Sequence, residues 1–414
     1  MTPFPAVSTA PVAGVGPRAA RTLTAEFARH NAATSALVLG ADHASTVVAA
    51  AIESLLPGDT LTLVPGERST AELLRDHITG LGSWIADRVR IVDTLAEADP
   101  ADVVIVGEPL TGTAEEVRAI LDSLSKHLTD GAVVSVATPA VPGRTGGAAA
   151  ELFRQSTLFG VGSDLVARNQ PPVRIHKLRF SPADTSVAAT LAPAYRPSSV
   201  PVTRSMHIDS NGVAAAGIAL GLAALARSSR PHSKLWLIPA LAAAPIATFF
   251  RDPERDVPTE PAAVVAASDG RVLSVERMQD ARFGSGEFLR IAVFLSVLDV
   301  HVNRIPVAGR VRDYFVEDGG YANAMTAAAE HNVAAYTVLD TDHGTVVVAQ
   351  RTGLIARRIV QRTPVGTLVA RGERMGLIRF GSRTDVYLPA DRAEAQVAVG
   401  DKVIGASSVI ARWK

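Results

Sequence analysis

Apolar positions along this chain change rhythm twice, and each change marks a different kind of element. From Ser35 to about Phe180, short apolar runs alternate with stretches of helical period, which predicts an α/β sheet domain. The runs Ser35 to Leu39, Thr60 to Val64, Val89 to Val92, Val103 to Val106 and Ala132 to Ala137 read as strands. Helical spacing fills the gaps: in Ala114 to Leu128, the residues Val117, Ile120, Leu121 and Leu124 share one face. From Ala183 to Thr203 the chain turns rich in Pro, Ser and Ala, with Pro193, Pro197 and Pro201 closely spaced, and reads as a linker.

Two apolar runs follow, Gly212 to Ala226 and Leu235 to Phe250, separated by a polar stretch that carries Arg227, Arg230 and Lys234. A helix needs about 20 apolar residues to cross a bilayer, so these runs predict a hairpin embedded in one leaflet rather than two spans. A pair of buried core helices is the competing reading. In the first reading the three cations meet lipid phosphates, each contact worth about 1 kcal/mol near an anionic surface. From Ala262 onward the pattern is that of strands: Val264 to Ala267, Arg271 to Glu276, Phe288 to Phe294, Val333 to Leu339 and Thr345 to Ala349. A small helix from Ala322 to His331 is the expected exception. Gly-punctuated strands such as Val399 to Gly405 predict a compact β-sandwich or barrel.

At 414 residues the chain is too long for one ordinary core, which agrees with this division. Its 41 basic and 41 acidic residues cancel and give no support to a nucleic-acid partner. Without Cys there is no disulfide, thiolate catalysis or Cys-ligated metal, and no metal site is expected. Met1 to Arg18 is rich in Pro and Ala and lacks a charged region followed by an apolar run, so it does not read as a secretory signal.

The candidate chemistry lies near the C-terminus. Leu377 to Tyr387 contains Phe380-Gly381-Ser382-Arg383, and Phe294 to Gly309 places His301 in a short apolar strand pattern. With Phe249-Phe250-Arg251-Asp252-Pro253-Glu254-Arg255, Ser268-Asp269-Gly270-Arg271-Val272 and Gly353 to Val360, in that order, these segments resemble the phosphatidylserine decarboxylase family in its short form. The resemblance covers roughly the C-terminal half, from near His207 to Lys414.

It implies a self-cleaving precursor. The Ser382 hydroxyl attacks the Gly381 carbonyl, elimination across Ser382 breaks the chain, and the resulting dehydroalanine rearranges and loses ammonia to leave a pyruvoyl group as cofactor. Gly381 suits that step because acyl transfer needs a backbone conformation that a Cβ would obstruct. A β chain of residues 1 to 381 and an α chain of residues 382 to 414 follow. A base of near-neutral pKa is required, and His301 with Asp269 matches the family positions as a Ser-His-Asp arrangement. Asp299, two residues from His301, shares its strand face and is a local alternative for orienting it. Arg304 is left between holding a substrate carboxylate or phosphate and pairing with a nearby acid. His331 and His343 read as solvated surface residues.

The implied reaction converts phosphatidylserine to phosphatidylethanolamine and carbon dioxide, with the cofactor carbonyl drawing off the electron pair released on decarboxylation. Phosphatidylserine, the membrane surface and the two chains of one precursor are the implied partners, and a homo-oligomer is left open. The implied location is the cytoplasmic face of the cell membrane, peripheral or monotopic.

The N-terminal order of elements also looks like a class I methyltransferase. Its first turn, Leu37 to His43, holds only Gly40 where close approach of a ligand usually needs more glycines. Glu67 is displaced by Pro65 and Gly66, and Gly107-Glu108-Pro109-Leu110 lacks an aromatic residue. The domain therefore reads as degenerate, kept for packing or partner binding. An active S-adenosylmethionine-dependent methyltransferase, or an uncleaved lipid-binding scaffold, are the alternatives.

The expected fold is thus an α/β doubly wound, methyltransferase-like sheet over residues 1–182 and a linker over 183–206. An apolar membrane-associating hairpin over 207–251 and a β-rich decarboxylase domain over 252–414 complete it.

Overall fold

The computed structural model describes residues 14–141, 146–194, 199–354, 358–378 and 382–414. It divides into two units, Met1–Pro197 with Gly366–Leu368, and Ser198–Val365 with Val369–Lys414.

The first unit holds β1 (Ser35–Ala41), β2 (Thr60–Pro65), β3 (Val89–Ile91), β4 (Ala101–Val106), β5 (Leu128–Pro139), β6 (Gly160–Val166) and β7 (Val173–Leu178). They form one sheet in the order β3-β2-β1-β4-β5-β7-β6, in which β7 runs against both neighbours. The five expected strands are present, and β6 and β7 extend the sheet. Alternate residues feed two cores: Ala36, Val38, Leu61 and Ile105 enter one, and Leu37, Val64, Val104 and Val134 the other. A parallel sheet must be covered on both faces by its crossover helices, which is why its strands read as continuous apolar runs. The helix Ala114–Leu124 begins with a capping box, in which Thr113 and Glu116 satisfy each other's backbone N–H groups.

The second unit begins inside the stretch expected to be a linker. There β8 (Ser199–Pro201) and β9 (Met206–Asp209) join β10 (Arg251–Pro253) in a small antiparallel sheet. Two helices interrupt it, Ser210–Ser229 and Leu237–Phe249. The first is longer than its apolar run, because Asp209 caps it from Ser210 onward and Arg227 to Ser229 close its last turn. Its 20 residues span about 30 Å, so by length and composition it is able to cross a membrane. The core-helix reading fails on exposure: Ile218, Leu220, Leu222, Leu225, Ile238 and Leu241 all face outward. At the base, Phe249, Phe250 and Leu377 pack together, and Gly212 lies so close to Phe250 that a Cβ there would come within 2.4 Å of that ring's Cβ.

The remaining strands are β11 (Ala263–Val265), β12 (Gly270–Gln279), β13 (Glu287–Leu295), β14 (Val302–Arg304), β15 (Gly309–Glu317), β16 (Ala334–Thr341) and β17 (Gly344–Arg351). They are followed by β18 (Ile359–Gln361), β19 (Leu368–Val369), β20 (Arg374–Ile378), β21 (Ser382–Pro389), β22 (Ala393–Ala395), β23 (Lys402–Val403) and β24 (Val409–Trp413). Eight make one sheet, β19-β15-β16-β17-β21-β13-β12-β23, and two three-stranded sheets, β14-β20-β18 and β11-β24-β22, accompany it. The helix expected over Ala322 to His331 is only a 3₁₀ turn, Ala327–His331.

Candidate active site

Three chain segments meet at one end of the large sheet. Ser382 is the first residue of β21 and stands opposite Leu295, the last residue of β13. On the other side of β13, Asp269 immediately precedes β12, whose Arg271 pairs with Phe294. One strand therefore separates Ser382 from the start of β12, roughly 10 Å between backbones. His301 leaves the same end of β13 after a tight turn, closed by the Asp299 N–H on the Ser296 carbonyl (3.0 Å) and the Ser296 N–H on the Asp299 carboxylate (2.8 Å). The approach is close enough that a Cβ on Gly270 would lie 2.1 Å from the Phe294 carbonyl oxygen.

His301 precedes β14 rather than sitting inside a strand. Its Nδ1 lies 2.9 Å from the Asp299 backbone carbonyl, so Asp299 does orient it, but through the backbone and not through its carboxylate. Phe249 covers the imidazole with ring centroids 4.3 Å apart. Burial pushes the His301 pKa down to about 4, against the smaller opposing pull of the Asp299 carbonyl and charge, and the ring is neutral at physiological pH. Its Nε2 is buried and has no hydrogen-bond partner among the described residues.

The Ser382 Oγ is likewise buried and unpartnered among the described residues. A buried hydroxyl with no partner among the described residues, at the end of the sheet from which the segment of the neutral His301 departs, fits the conversion of Ser382 into a carbonyl cofactor. Gly381, the other half of the expected cleavage site, lies outside the described residues, as do Arg379, Phe380 and Ile355 to Arg357.

Asp269 is not hydrogen-bonded to His301. Its carboxylate accepts from Arg255 at 2.7 and 2.8 Å and from the Gly405 N–H at 2.8 Å, so the three residues do not form a hydrogen-bonded relay. The charge of Arg255 and the backbone donor together claim both carboxylate oxygens.

Arg304 resolves toward the acid. It donates to Asp252 at 2.6 Å and to the Pro253 carbonyl at 3.0 Å, and Arg374 binds the same carboxylate. Burial lowers the Arg304 pKa to about 10, and Arg374 beside it adds to the effect. The segment Phe249 to Arg255 is therefore a support for the site: Phe249 covers His301, Asp252 neutralises Arg304 and Arg374, and Arg255 holds Asp269.

Four further residues were not singled out from the sequence. Ser268 and Thr384 share a hydrogen bond of 2.7 Å, and the buried Gln350 donates to Asn303 at 2.7 Å. Ser268, Asn303 and Thr384 lie within the quoted motif segments but drew no role of their own there, and Gln350, a polar residue in an apolar strand, lies outside them. Of the histidines expected at the surface, His331 is exposed, whereas His343 is half-buried and stacks on Trp413.

In the first unit, a cleft of about 220 Å³ at the ends of β1 and β4 is lined by Gly40, Asp42, Ser45, Arg68, Gly107 and Glu108. Gly40 has φ +76°, and a Cβ on Gly66 or Gly107 would come within 3.0 to 3.1 Å of its backbone. The three glycines are thus used for close packing of one another. Glu67 is exposed, and Glu108 pairs with Arg68 at 3.8 Å.

Solved structures similar in fold include methyltransferases from Pyrococcus furiosus (17% identity, 42% of this chain and 88% of that one, TM-score 0.32) and Geobacter sulfurreducens (14%, 40% and 80%, TM-score 0.30). Residues 243–411 match the family model described as phosphatidylserine decarboxylase. A phosphatidylserine decarboxylase proenzyme of Symbiobacterium thermophilum is 48% identical over 166 residues, which are 40% of this chain and 77% of that one. That of Nitrosomonas eutropha is 42% identical over 182 residues, 44% and 82% of the two chains. With the family match spanning Asp269, His301 and Ser382, and with relatives of this identity covered over three quarters of their length, the chain belongs to the phosphatidylserine decarboxylase family.

Proposed function

We propose that Ser382, His301 and Asp269 carry the self-cleavage of this precursor and the decarboxylation of phosphatidylserine that its family performs. The observation that supports this most is the pair of buried atoms without a partner among the described residues, Ser382 Oγ and His301 Nε2, at one end of the large sheet. A neutral imidazole is able to accept the Ser382 proton at physiological pH, and Phe249 keeps water from its face. Attack on the Gly381 carbonyl forms an ester from the amide, elimination frees residues 382–414 with an N-terminal dehydroalanine, and its imine tautomer takes up water and releases ammonia to become a pyruvoyl group. The pyruvoyl group so formed supplies the electron sink for decarboxylation. Asp269 acts at a distance from the proton, by fixing Arg255 and the Gly405 turn beside β12.

The family works at membranes, and among the described residues one helix, Ser210–Ser229, is apolar and long enough to enter one. Its outward apolar side chains, with Arg227 over the Trp236 ring at 4.8 Å near the tip, support docking from the cytoplasmic face. Arg251 also binds the Leu298 carbonyl, which sets the exposed Val297-Leu298 tip beside the base of the same hairpin. Sedimentation with phosphatidylserine vesicles is expected for the wild type, and a protein that stays in the supernatant without detergent would refute the docking.

The mass of the denatured protein tests the chemistry. Two fragments meeting between Gly381 and Ser382, the smaller lighter by the loss of ammonia, are expected, and Ser382→Ala should give one intact chain without decarboxylase activity. Full activity in Ser382→Ala would refute the mechanism. For the first unit, the cleft by Gly40 makes S-adenosylmethionine the ligand to titrate, and the absence of heat would leave that unit to packing or partner binding.

A further inference from the structure

A second row of polar side chains lies next to Ser382 and His301. Gln350 on β17 stands opposite Thr384, and Thr384 is two residues beyond Ser382 on the same face of β21. Gln350 is therefore the diagonal neighbour of Ser382, roughly 7–8 Å away between backbones and within reach of a long side chain. Asn303 follows His301 by two residues, about 7 Å along an extended chain. Both amides are 0% exposed. The Gln350 Nε2 donates to Asn303 Oδ1 at 2.7 Å and so ties the large sheet to the sheet that holds β14.

That single bond leaves a specific remainder. Asn303 Nδ2 and Gln350 Oε1 are both buried with no partner among the described residues. Asn303 thus holds a free NH₂ and Gln350 a free carbonyl. A buried unsatisfied amide group costs about 1–3 kcal/mol, so two on one hydrogen-bonded pair call for an explanation.

We propose that the Asn303–Gln350 pair recognises the α-amino-acid end of the lipid head group, its free NH₂ donating to the α-carboxylate and its free carbonyl accepting from the α-nitrogen. This rests on the reading of Ser382 as the reacting position. A carboxylate only accepts and an ammonium only donates, so a site for both needs one donor and one acceptor together. Arg304 and Arg374 are committed to Asp252 and Arg255 to Asp269, and Arg251, whose charge reaches His301, donates to the Thr248 and Leu298 backbone carbonyls. A neutral donor also suits the reaction, because an arginine would bind most tightly the very carboxylate that has to leave. The product lacks that carboxylate, so the NH₂ is left unpaired again and the product is held less tightly than the substrate.

The test uses the full chain, as wild type and as Asn303→Ala, in detergent micelles. Denatured mass reads self-cleavage, and cyanoborohydride trapping of lipid amine on the new N-terminus of residues 382–414 reads binding. In the wild type, half-trapping should need less phosphatidylserine than phosphatidylethanolamine. In Asn303→Ala, cleavage should persist and the concentration for phosphatidylserine should rise about 10- to 100-fold, the worth of a hydrogen bond to a charged group, while that for phosphatidylethanolamine stays put. Equal shifts for both lipids, or none, would overturn the proposal. So would a folded but uncleaved variant, which assigns the pair to processing. If Asn303→Ala does not fold, Gln350→Met, which keeps the side-chain volume but removes the carbonyl that accepts from the nitrogen common to both lipids, should raise both concentrations, and no shift for either lipid would overturn the proposal. Failure of the wild type itself to cleave or trap would instead remove the reading of Ser382.

Discussion

The two faces of β21 treat polar side chains in opposite ways. On one face, Arg383 binds Asp385 (2.5 and 3.1 Å) and Glu330 (2.8 Å), Arg351 binds Asp385 (2.8 Å), and Arg290 binds Glu330 (2.8 Å) and Glu276. Tyr336 and Tyr387 take further bonds from Arg351. Burial opposes the charge on Arg351, but Asp385 beside it holds the guanidinium pKa above its ordinary value. On the other face, Ser382 and the neighbouring Gln350 and His301 keep atoms that bond to none of the described residues. The saturated face holds the strand in place through charge pairing that does not depend on the peptide bond before Ser382. The unsaturated face is where a bond is to be broken and a head group received. A strand that is cut at its first residue needs both.

Breaking the saturated face should have the largest effect. Asp385→Ala leaves Arg351 and Arg383 as buried charges without their main partner, and a loss of about 3–5 kcal/mol is expected. Urea unfolding in the Ser382→Ala background, where no cleavage confuses the transition, measures it. Gln350→Met in the same background should cost well under half of that, since it removes a side chain whose carbonyl was already unpaired. Similar losses for the two variants would erase the distinction between the faces.

The unsaturated face should instead show itself in pH. An unfolded histidine binds a proton below about pH 6.5, whereas His301 in the folded chain, its pKa pushed down to about 4 by burial, does not. Between those values the unfolded state holds the extra proton, so stability falls as pH drops from about 6.5 to about 4 and is unaffected above that window. The full depression corresponds to at most about 3 kcal/mol. His176 in the first unit, also lowered to about 4 by burial, contributes in the same window, so the difference between wild type and His301→Gln isolates the site. If that difference is flat from pH 4 to 7, the imidazole is not held neutral by its surroundings.

How much of this was legible beforehand follows from the same contrast. β13 was readable because Phe288, Leu289, Ile291, Ala292, Val293 and Leu295 make a nearly continuous buried apolar run. β21 was not, although all but its last residue is buried, because Arg383 and Asp385 look like solvent-facing residues until Arg351 and Glu330 arrive from elsewhere in the chain. The motif around Phe249 was visible as a string of letters. Its work, covering His301 and neutralising Arg304, depends on residues about 50 positions away. Ser382 and His301 could be named from their flanks, while Asn303 and Gln350 carry no signal of their own and become informative only through the one bond between them.

The finest distinction concerns Asp299. Its carboxylate caps the turn at Ser296, and its backbone carbonyl holds His301 Nδ1. Asp299→Asn keeps an oxygen for the Ser296 N–H and leaves the backbone carbonyl untouched, so cleavage and decarboxylation rates should stay within about twofold of wild type and stability within about 0.5 kcal/mol. The negative charge near His301 is lost, which removes a minor force favouring the protonated ring, and the acid limb of the pH profile should move slightly down. A loss of a hundredfold or more, read by the fraction cleaved and by carbon dioxide release, would mean that the carboxylate itself works on the imidazole during the reaction. The orienting role assigned to the backbone would then be wrong.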